Sequence, residues 1–301
     1  MNLRAYVFLT ITALSWGGNA VAGKMAVGHI SPMLLTSIRW AMALLILTTF
    51  TLPQVRRDIK TIVRNLPLLF AYGMVGFTFF NILLYSALEF TTAINVAIEQ
   101  AGMPMVIFLA NFLLFRIKAS FAQIAGFFLT LTGVAITASS GSLGRLIALE
   151  LNRGDALMLL AVLSYGGYTV ALRYKPVLHW QSMITVMAGA AFLSSLPFSA
   201  YEVVQETVIW PDMTGWLIVA FAAIFPSLVS QVLFIKSNEL IGSNRAGLFI
   251  NLVPIFGTLL SVMILGETLH LYHVIALVLV LGGIGLSERS KRQIAPVDAD
   301  R

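Results

Sequence analysis

The chain contains no cysteine among its 301 residues, and charged residues make up only 11% of it. The absence of cysteine excludes disulfides, thiolate-bound metals and thiol catalysis. The scarcity of charge excludes an ordinary water-soluble domain, in which roughly 25% of residues are charged. Hydrophobic residues make up 58% of the chain, and the mean hydropathy is +0.90. Lipid is therefore predicted to surround most of this chain.

The sequence also lacks a catalytic or metal-binding constellation. His29, His179, His270 and His273 lie at predicted helix ends, and no third ligand accompanies the one close pair. No glycine-rich phosphate loop is present, which argues against direct drive by ATP. The chain has a net charge of +6, but its basic residues do not form a soluble segment in which basic and aromatic residues alternate. Nucleic-acid binding is therefore not expected. We expect neither a cofactor nor enzymatic activity.

Ten hydrophobic stretches approach the length of about 20 residues that a bilayer-spanning helix needs. With the N-terminus in the cytoplasm, cytoplasmic segments hold fifteen Lys and Arg residues and the opposite side holds two. This asymmetry is typical of multi-pass membrane proteins and predicts that both termini are cytoplasmic. The predicted spans are 5–26, 33–52, 67–88, 93–115, 119–139, 155–173, 182–203, 215–236, 245–265 and 271–288.

The sequence contains an internal repeat. Residues 14–24 and 163–173 agree at six of eleven positions with an offset of 149, and other pairs share an offset of 150. Those pairs are Asn81 and Gln231, Glu89 and Glu239, Ala97 and Gly247, Pro104 and Pro254, and Gly133 and Gly283. Five helices per copy would insert the second copy in the opposite sense, an arrangement typical of secondary transporters.

The repeat divides the chain into predicted units. These are a first five-helix repeat at 1–140, a linker at 141–154, a second repeat at 155–288 and a disordered cytoplasmic tail at 289–301. The first span imitates a signal peptide with an Ala20-Val21-Ala22 cleavage site. Because this span has a repeat partner, we expect it to be retained as a structural helix. The predicted fold is an all-α membrane protein with two inverted repeats around a central cavity.

Several motifs indicate a family. They are residues 14–19 (LSWGGN), Arg39, residues 85–88 (YSAL) with 91–93 (TTA), Pro104, Pro254, residues 265–270 (LGETLH) and Gly282-Gly283. Over 5–288 the chain resembles the EamA-type permeases of the drug/metabolite transporter superfamily. It is most similar to the YddG-like exporters of aromatic amino acids and other metabolites. The resemblance implies export across the bacterial inner membrane. One departure is Arg116-Ile117, which stands where the second copy has Gly266-Glu267; we interpret Glu267 as a helix-end anchor.

Three ionisable residues lie within or near predicted spans, where a charge costs about 2.5–3.5 kcal/mol on insertion scales. Glu99 is predicted to bind a substrate ammonium or a coupling proton, or else to pair with Arg39 or Lys24. Arg39 is predicted to bind a carboxylate, or else to form a structural ion pair or cap carbonyls. Lys24 has the same candidate role, and its alternative is snorkelling to the membrane surface.

Aromatic and neutral polar residues complete the predicted substrate site. Rings before the paired glycines suit an apolar substrate body, although aromatic residues also pack between helices or face lipid. These further candidates are Trp16, Asn19, Phe80, Asn81, Tyr85, Gln100, Tyr165, Tyr168, Gln231 and Asn251. Candidate hinges, which have close helix packing as the alternative role, are Gly17, Gly18, Pro104, Gly166, Gly167, Pro226 and Pro254.

The sequence favours a monomeric secondary transporter that exports amino acids and related small metabolites, aromatic ones among them, by alternating access. One alternative is an antiporter of phosphorylated sugars or nucleotide sugars. Such substrates need more than one buried cation, and the chain offers Arg39 and Lys24. The other alternative is a membrane enzyme or a receptor that does not transport.

Overall fold

A computed structural model describes residues 3–116, 120–142, 144, 152–242, 246 and 249–293. These residues form helices joined by short loops, and no strand occurs among them. In chain order the helical segments are α1 Leu3–Ala26, α2 Pro32–Arg64, α3 Leu66–Ala87, α4 Ala93–Phe115, α5 Phe121–Ala138, α6 Arg153–Tyr174, α7 Trp180–Val204, α8 Met213–Ile241, α9 Phe249–Leu265 and α10 Leu271–Gln293.

Eight helices, α1 to α8, are long and apolar enough to cross a membrane. The described apolar parts of α9 and α10, Phe249–Leu265 and Leu271–Ser287, are shorter. Helices are the expected solution in lipid, because a helix satisfies its backbone hydrogen bonds within one segment. The count of ten crossings stays a prediction.

Three helices extend beyond the boundaries predicted for their spans. α2 does not end at residue 52 but continues through Pro53 to Arg64, because hydropathy detects the apolar part of a helix and not its polar extension. α6 begins at Arg153, inside the predicted linker, and linker residues 143 and 145–151 lie outside the described part. α10 extends to Gln293 and covers the start of the predicted tail, whereas residues 294–301 also lie outside it.

The second helices of the two predicted copies, α2 and α7, pack side by side. Polar pairs connect them along their length, and the residue number rises on α2 as it falls on α7, so the helices are antiparallel. The pairs are Ser31 with Glu202 at 2.7 Å, Ser37 with Ser195 at 2.9 Å, Thr51 with Thr185 at 2.8 Å and Asp58 with Ser182 at 2.6 Å.

The fifth helices of the two predicted copies, α5 and α10, are also antiparallel. A Cβ atom added to Gly126 would lie 2.4 Å from the carbonyl oxygen of Gly283, and one on Gly133 would lie 2.8 Å from that of Ala276. Small residues allow this close approach of two backbones, which is how membrane helices gain packing energy.

Backbone irregularities recur at the repeat offset. α3 contains a π-helical stretch at Met74–Phe79, and α8 contains another at Phe225–Val229. Pro226 in the second stretch stands 150 residues after Gly76 in the first. A proline lacks the N–H that a regular helix needs, and π-helical turns frequently occur at functional sites.

The fourth helices of both predicted copies share two further features. α4 is interrupted after Gln100, and α9 begins with the 3₁₀ turn Phe249–Asn251. Both helices end on a residue in the left-handed conformation, Arg116 with φ 52° and Gly266 with φ 65°. Arg116 and Gly266 are also 150 residues apart.

Charged side chains bind backbone groups at one end of the bundle. The Glu267 carboxylate accepts hydrogen bonds from the N–H groups of Ala93 and Ile94 at 2.8 and 3.0 Å. Such bonds satisfy helix N-termini that otherwise lack partners, and they confirm the predicted anchoring role of Glu267. The Glu202 carboxylate likewise accepts from the N–H groups of Met33 and Leu34, both at 3.0 Å.

We expect Gly283→Ala to destabilise the protein, because the new methyl group would lie 2.4–2.5 Å from Thr130 and the Gly126 carbonyl. Overpacking of this kind costs about 1–3 kcal/mol. Gly282→Ala is the matched control, since nothing lies within 4 Å of its added Cβ. Thermal unfolding in detergent measures the difference, and equal melting temperatures for the two variants would contradict the α5–α10 packing.

We expect Glu267→Gln to lower the melting temperature, because a neutral amide replaces a carboxylate that accepts two backbone hydrogen bonds. Charge-assisted bonds contribute about 1.5–3 kcal/mol each, so a loss of at least about 1 kcal/mol is expected. Glu239→Gln, at an exposed position near the end of α8, is the control. A Glu267→Gln protein as stable as this control would refute the cap.

Candidate functional site

A cavity of about 410 Å³ lies between helices of both predicted copies. Helices α1 to α4 contribute to it from the first copy, and α6 and α8 to α10 from the second. Ten of the thirteen predicted substrate-site residues line it. They are Trp16, Asn19, Arg39, Phe80, Asn81, Gln100, Tyr165, Tyr168, Gln231 and Asn251.

Arg39 is the one charged side chain among the described residues that line the cavity. It is 4% exposed, and neutral groups hold it in place. Its Nε donates to the Ser227 hydroxyl at 2.7 Å, and its Nη1 donates to Asn81 Oδ1 at 2.7 Å and Asn19 Oδ1 at 3.2 Å. Nη1 also donates to the Tyr85 hydroxyl.

Arg39 has no acidic partner. Within the described part of the chain, one ion pair is found, between His29 and Asp212 at 2.7 Å. The structure therefore shows neither of the ion pairs considered as alternatives, Arg39 with Glu99 or Lys24 with Glu99. A buried guanidinium with neutral partners keeps its full positive charge, which makes the cavity attractive to an anion.

Aromatic rings form one wall of the cavity. Trp40 stacks on Phe77 with ring centres 4.6 Å apart, and Phe77 meets Tyr168 at 6.0 Å. Tyr165 continues the series, 5.4 Å from Tyr168 and 5.0 Å from Phe80. Stacked and edge-to-face rings offer a large apolar surface with a defined shape.

Another part of the cavity lining combines the Trp16 ring with the π-helical stretch of α8. The Trp16 indole N–H donates to the carbonyl oxygen of Pro226 at 3.2 Å, within the π-helical stretch of α8. Trp16 also lies 5.5 Å from Phe234, which lines the cavity too. The irregular backbone of α8 therefore orients a ring of α1.

Three predicted site residues do not line the cavity. Tyr85 stands behind Arg39 and donates to Asn19 at 3.0 Å. The Lys24 ammonium donates to the carbonyl oxygens of Leu88 and Thr91, both at 2.7 Å. Glu99 is 0% exposed, and its side chain turns away from the cavity that the next residue, Gln100, lines.

The predicted hinge residues divide into two groups. Pro104, Pro226 and Pro254 line the cavity beside irregular backbone. The glycines lie in unbroken stretches of α1 and α6, and a Cβ on Gly17 or Gly166 would lie within 2.6–2.7 Å of a neighbouring helix. Gly18 has looser surroundings, and nothing lies within 4 Å of a Cβ on Gly167. Close packing therefore explains Gly17 and Gly166, and a hinge role for the glycines stays a prediction.

Sequence reasoning missed Trp40, Ser227 and Phe234. Trp40 follows Arg39 directly, and an aromatic neighbour of a buried cation is a usable signal; the Arg39 guanidinium lies 5.3 Å from the Trp40 ring centre. Ser227 follows Pro226, but no pattern links it to Arg39 on another helix. Phe234 is one of 20 phenylalanines in a chain whose helices are apolar on most faces.

The cavity can bind a molecule with one anionic group and an apolar body. Arg39 would meet the anion, the rings would contact the body, and the amide groups of Gln100, Gln231 and Asn251 would serve neutral polar groups. Among the described residues, no group of three His, Cys, Asp or Glu side chains converges to hold a metal ion.

Comparison with known proteins agrees with this arrangement. The sequence profile of the EamA-like transporter family matches residues 3–139 and again 152–288. The chain is 24% identical to the uncharacterized transporter YetK of Bacillus subtilis, over 97% of this chain and 89% of that protein. It is also 24% identical to a probable amino-acid metabolite efflux pump of Salmonella typhimurium, over 91% of each chain.

A solved crystal structure shares the fold. It has a TM-score of 0.64 and 18% sequence identity, and the match covers 98% of this chain and all of the other. The family profile and the apolar helices together show a multi-pass membrane protein of a transporter family. Since the profile matches nearly the whole chain in two consecutive segments, the chain belongs to the EamA-like transporter family.

Proposed function

We propose that this protein is a secondary transporter that exports amino-acid-like metabolites carrying a carboxylate and an apolar or aromatic side chain. The observation that carries the proposal is Arg39, a buried cation without a counter-ion at the wall of an aromatic cavity. An arginine can hold a carboxylate through two parallel hydrogen bonds. The family relative described as a probable amino-acid metabolite efflux pump supports this substrate class and the export direction.

Alternating access between two inverted five-helix copies is the proposed mechanism. Three observations support it: the two consecutive profile matches, the antiparallel packing of α2 with α7 and of α5 with α10, and backbone breaks that recur at the repeat offset. Repeat-related residues of both copies, such as Asn81 with Gln231, also line the same cavity. Rocking of one half against the other would expose that cavity to each side in turn. We place the protein in the inner membrane as a monomer, with both termini cytoplasmic.

An antiporter of phosphorylated sugars or nucleotide sugars is less well supported. A phosphate or diphosphate carries more charge than one guanidinium neutralises. Lys24, the second candidate cation, donates instead to the carbonyl oxygens of Leu88 and Thr91. An enzymatic role is also less well supported, because no group of catalytic side chains converges in the described part of the cavity.

We expect Arg39→Gln to weaken the binding of a labelled aromatic amino acid by about 10–100-fold, the equivalent of one charged hydrogen-bonded contact. Binding is measured by scintillation proximity in detergent, and flux is measured in liposomes. Arg173→Gln is the control, because Arg173 also lies over a ring, that of Phe115 at 3.6 Å, but outside the cavity. Equal binding by the two variants would refute the assignment of Arg39. Stronger stabilisation of the wild type by sugar phosphates than by amino acids would favour the antiporter.

We expect Tyr165→Ala to reduce the preference for aromatic over small aliphatic amino acids by about 2–10-fold, since one aromatic contact contributes about 0.5–1.5 kcal/mol. Competition between labelled and unlabelled amino acids measures the preference. Phe128→Ala is the control, because this ring is 59% exposed on the outside of α5. An unchanged preference in Tyr165→Ala would show that the aromatic wall does not select the substrate.

A further inference from the structure

A second group of buried polar side chains lies outside the cavity, between α4, α6 and α10. We call it the acid cluster; it consists of Thr91, Asn95, Glu99, Asp155 and His273. Glu99 and Asp155 are 0% exposed and His273 is 1% exposed. None of the five lines the cavity.

Asp155 has more hydrogen-bond support than the other acid of the cluster, Glu99. One carboxylate oxygen accepts hydrogen bonds from the Thr91 hydroxyl and from Asn95 Nδ2. Asp155 also stands in the first turn of α6, where the helix dipole favours negative charge. Hydrogen bonds and a helix N-terminus stabilise the charged form of a carboxyl group.

Glu99 is in the opposite situation. Neither of its carboxyl oxygens has a hydrogen-bond partner, and the second oxygen of Asp155 has none either. A buried carboxylate without donors loses its hydration and gains no hydrogen bond in return, which disfavours the charged form. The negative charge of Asp155 nearby adds repulsion, so the packed structure stabilises the neutral, protonated form of Glu99.

His273 does not supply a balancing positive charge. Its Nδ1 accepts a hydrogen bond from the backbone N–H of His270 at 3.1 Å. The proton of a neutral ring must then be on Nε2, which donates to Asn95 Oδ1 at 3.1 Å. A second ring proton would point at the His270 N–H, so the observed contacts require the neutral form.

Other helices that pack against the first part of α4 provide no cation to Glu99. α5 and α9 carry no titratable side chain. α1 contributes Lys24, which is bound to two carbonyl oxygens. α10 contributes Tyr272 beside His273. α6 contributes Asp155 itself and Arg153, whose guanidinium lies over the Phe90 ring at 4.7 Å. None of these groups is a hydrogen-bond partner of the Glu99 carboxyl oxygens, so a proton taken from solution would neutralise Glu99.

We propose that the acid cluster is a proton-binding site in which Glu99 carries the proton beside the hydrogen-bonded acid Asp155, and that it couples transport to a proton gradient. The coupling step rests on the proposed transport function, whereas the binding site does not. A metal ion of the calcium or magnesium type needs about six oxygen ligands, and in the described part of the chain neither this cluster nor any other group of three His, Cys, Asp or Glu side chains is arranged to hold a metal ion.

The position of Glu99 explains how the proton would act on the cavity. The Glu99 carbonyl accepts from the Gly102 N–H at 2.9 Å, across the interruption of α4. Gln100 and Ala101, which lie between them, line the cavity. Ionised Glu99 needs water, which the packed cluster excludes, so loss of the proton favours a conformation in which α4 separates from α6 and α10. Proton binding and access of substrate to the cavity would therefore depend on the same conformational equilibrium.

The first test needs no substrate. In infrared spectra of the purified wild type at neutral pH, we expect the carbonyl stretching band of a protonated carboxylic acid. Glu99→Gln, which keeps the shape of the protonated side chain, should remove this band, whereas Glu239→Gln and Asp155→Asn should retain it. A wild type without the band, or a band that persists in Glu99→Gln, would overturn the proton site.

The second test measures coupling in liposomes. Wild type and Glu239→Gln should accumulate a labelled aromatic amino acid when a pH gradient is imposed. In Glu99→Gln, accumulation relative to exchange at equal pH should fall to the value seen without a gradient. Accumulation driven by a sodium gradient, or a pH response that survives in Glu99→Gln, would overturn the coupling. Absence of exchange by the wild type would overturn the proposed transport function, while the infrared band still decides the proton site.

Discussion

The cost of placing polar groups away from water governs this structure. Lipid offers no hydrogen bonds, so each buried polar group needs a partner within the protein. Arg39 donates hydrogen bonds to three amide or hydroxyl oxygens on other helices, in addition to the Tyr85 hydroxyl, and Lys24 donates to two carbonyl oxygens. The contacts of Arg39 connect α2 to α1, α3 and α8. The polar groups that form the site therefore also hold the helices around it.

Two neighbouring residues of α4 show how one helix serves two sites. Successive residues of a helix point about 100° apart, so Gln100 lines the cavity while Glu99 does not and instead has Asp155 of α6 as a neighbour. The proposed substrate contact and the proposed proton-binding carboxyl group are therefore adjacent in sequence but lie on different faces of the helix. The interruption that follows them leaves this part of α4 less rigidly tied to the rest of the helix.

Much of the fold follows from the sequence, because the length of apolar stretches and the spacing of repeated residues can be read from residue order alone. Arg39 was identifiable as a charge within an apolar stretch, and Trp16 and Tyr165 were identifiable from their shared place before paired glycines. The direction in which the Glu99 side chain points was not identifiable, since the depth of a residue in a span does not determine its position around the helix axis. The predicted contact of Glu99 with a substrate ammonium required its side chain to point into the cavity, and hydropathy does not show which side of a helix a residue occupies. The polar end of α2 was not predicted for a similar reason, because a helix can continue beyond the membrane without apolar residues to indicate it.

The carboxylate of Glu267 binds the first N–H groups of α4 at one end of the bundle. Its repeat partner position is residue 117, an isoleucine, which has no carboxylate to offer the other end. The proposed repeat symmetry therefore does not extend to this pair of hydrogen bonds. In the proposed transport cycle, opening the Glu267 end would break two charge-assisted hydrogen bonds, and opening the other end would not involve this pair. The two halves of a transport cycle would consequently have unequal activation enthalpies and respond differently to temperature.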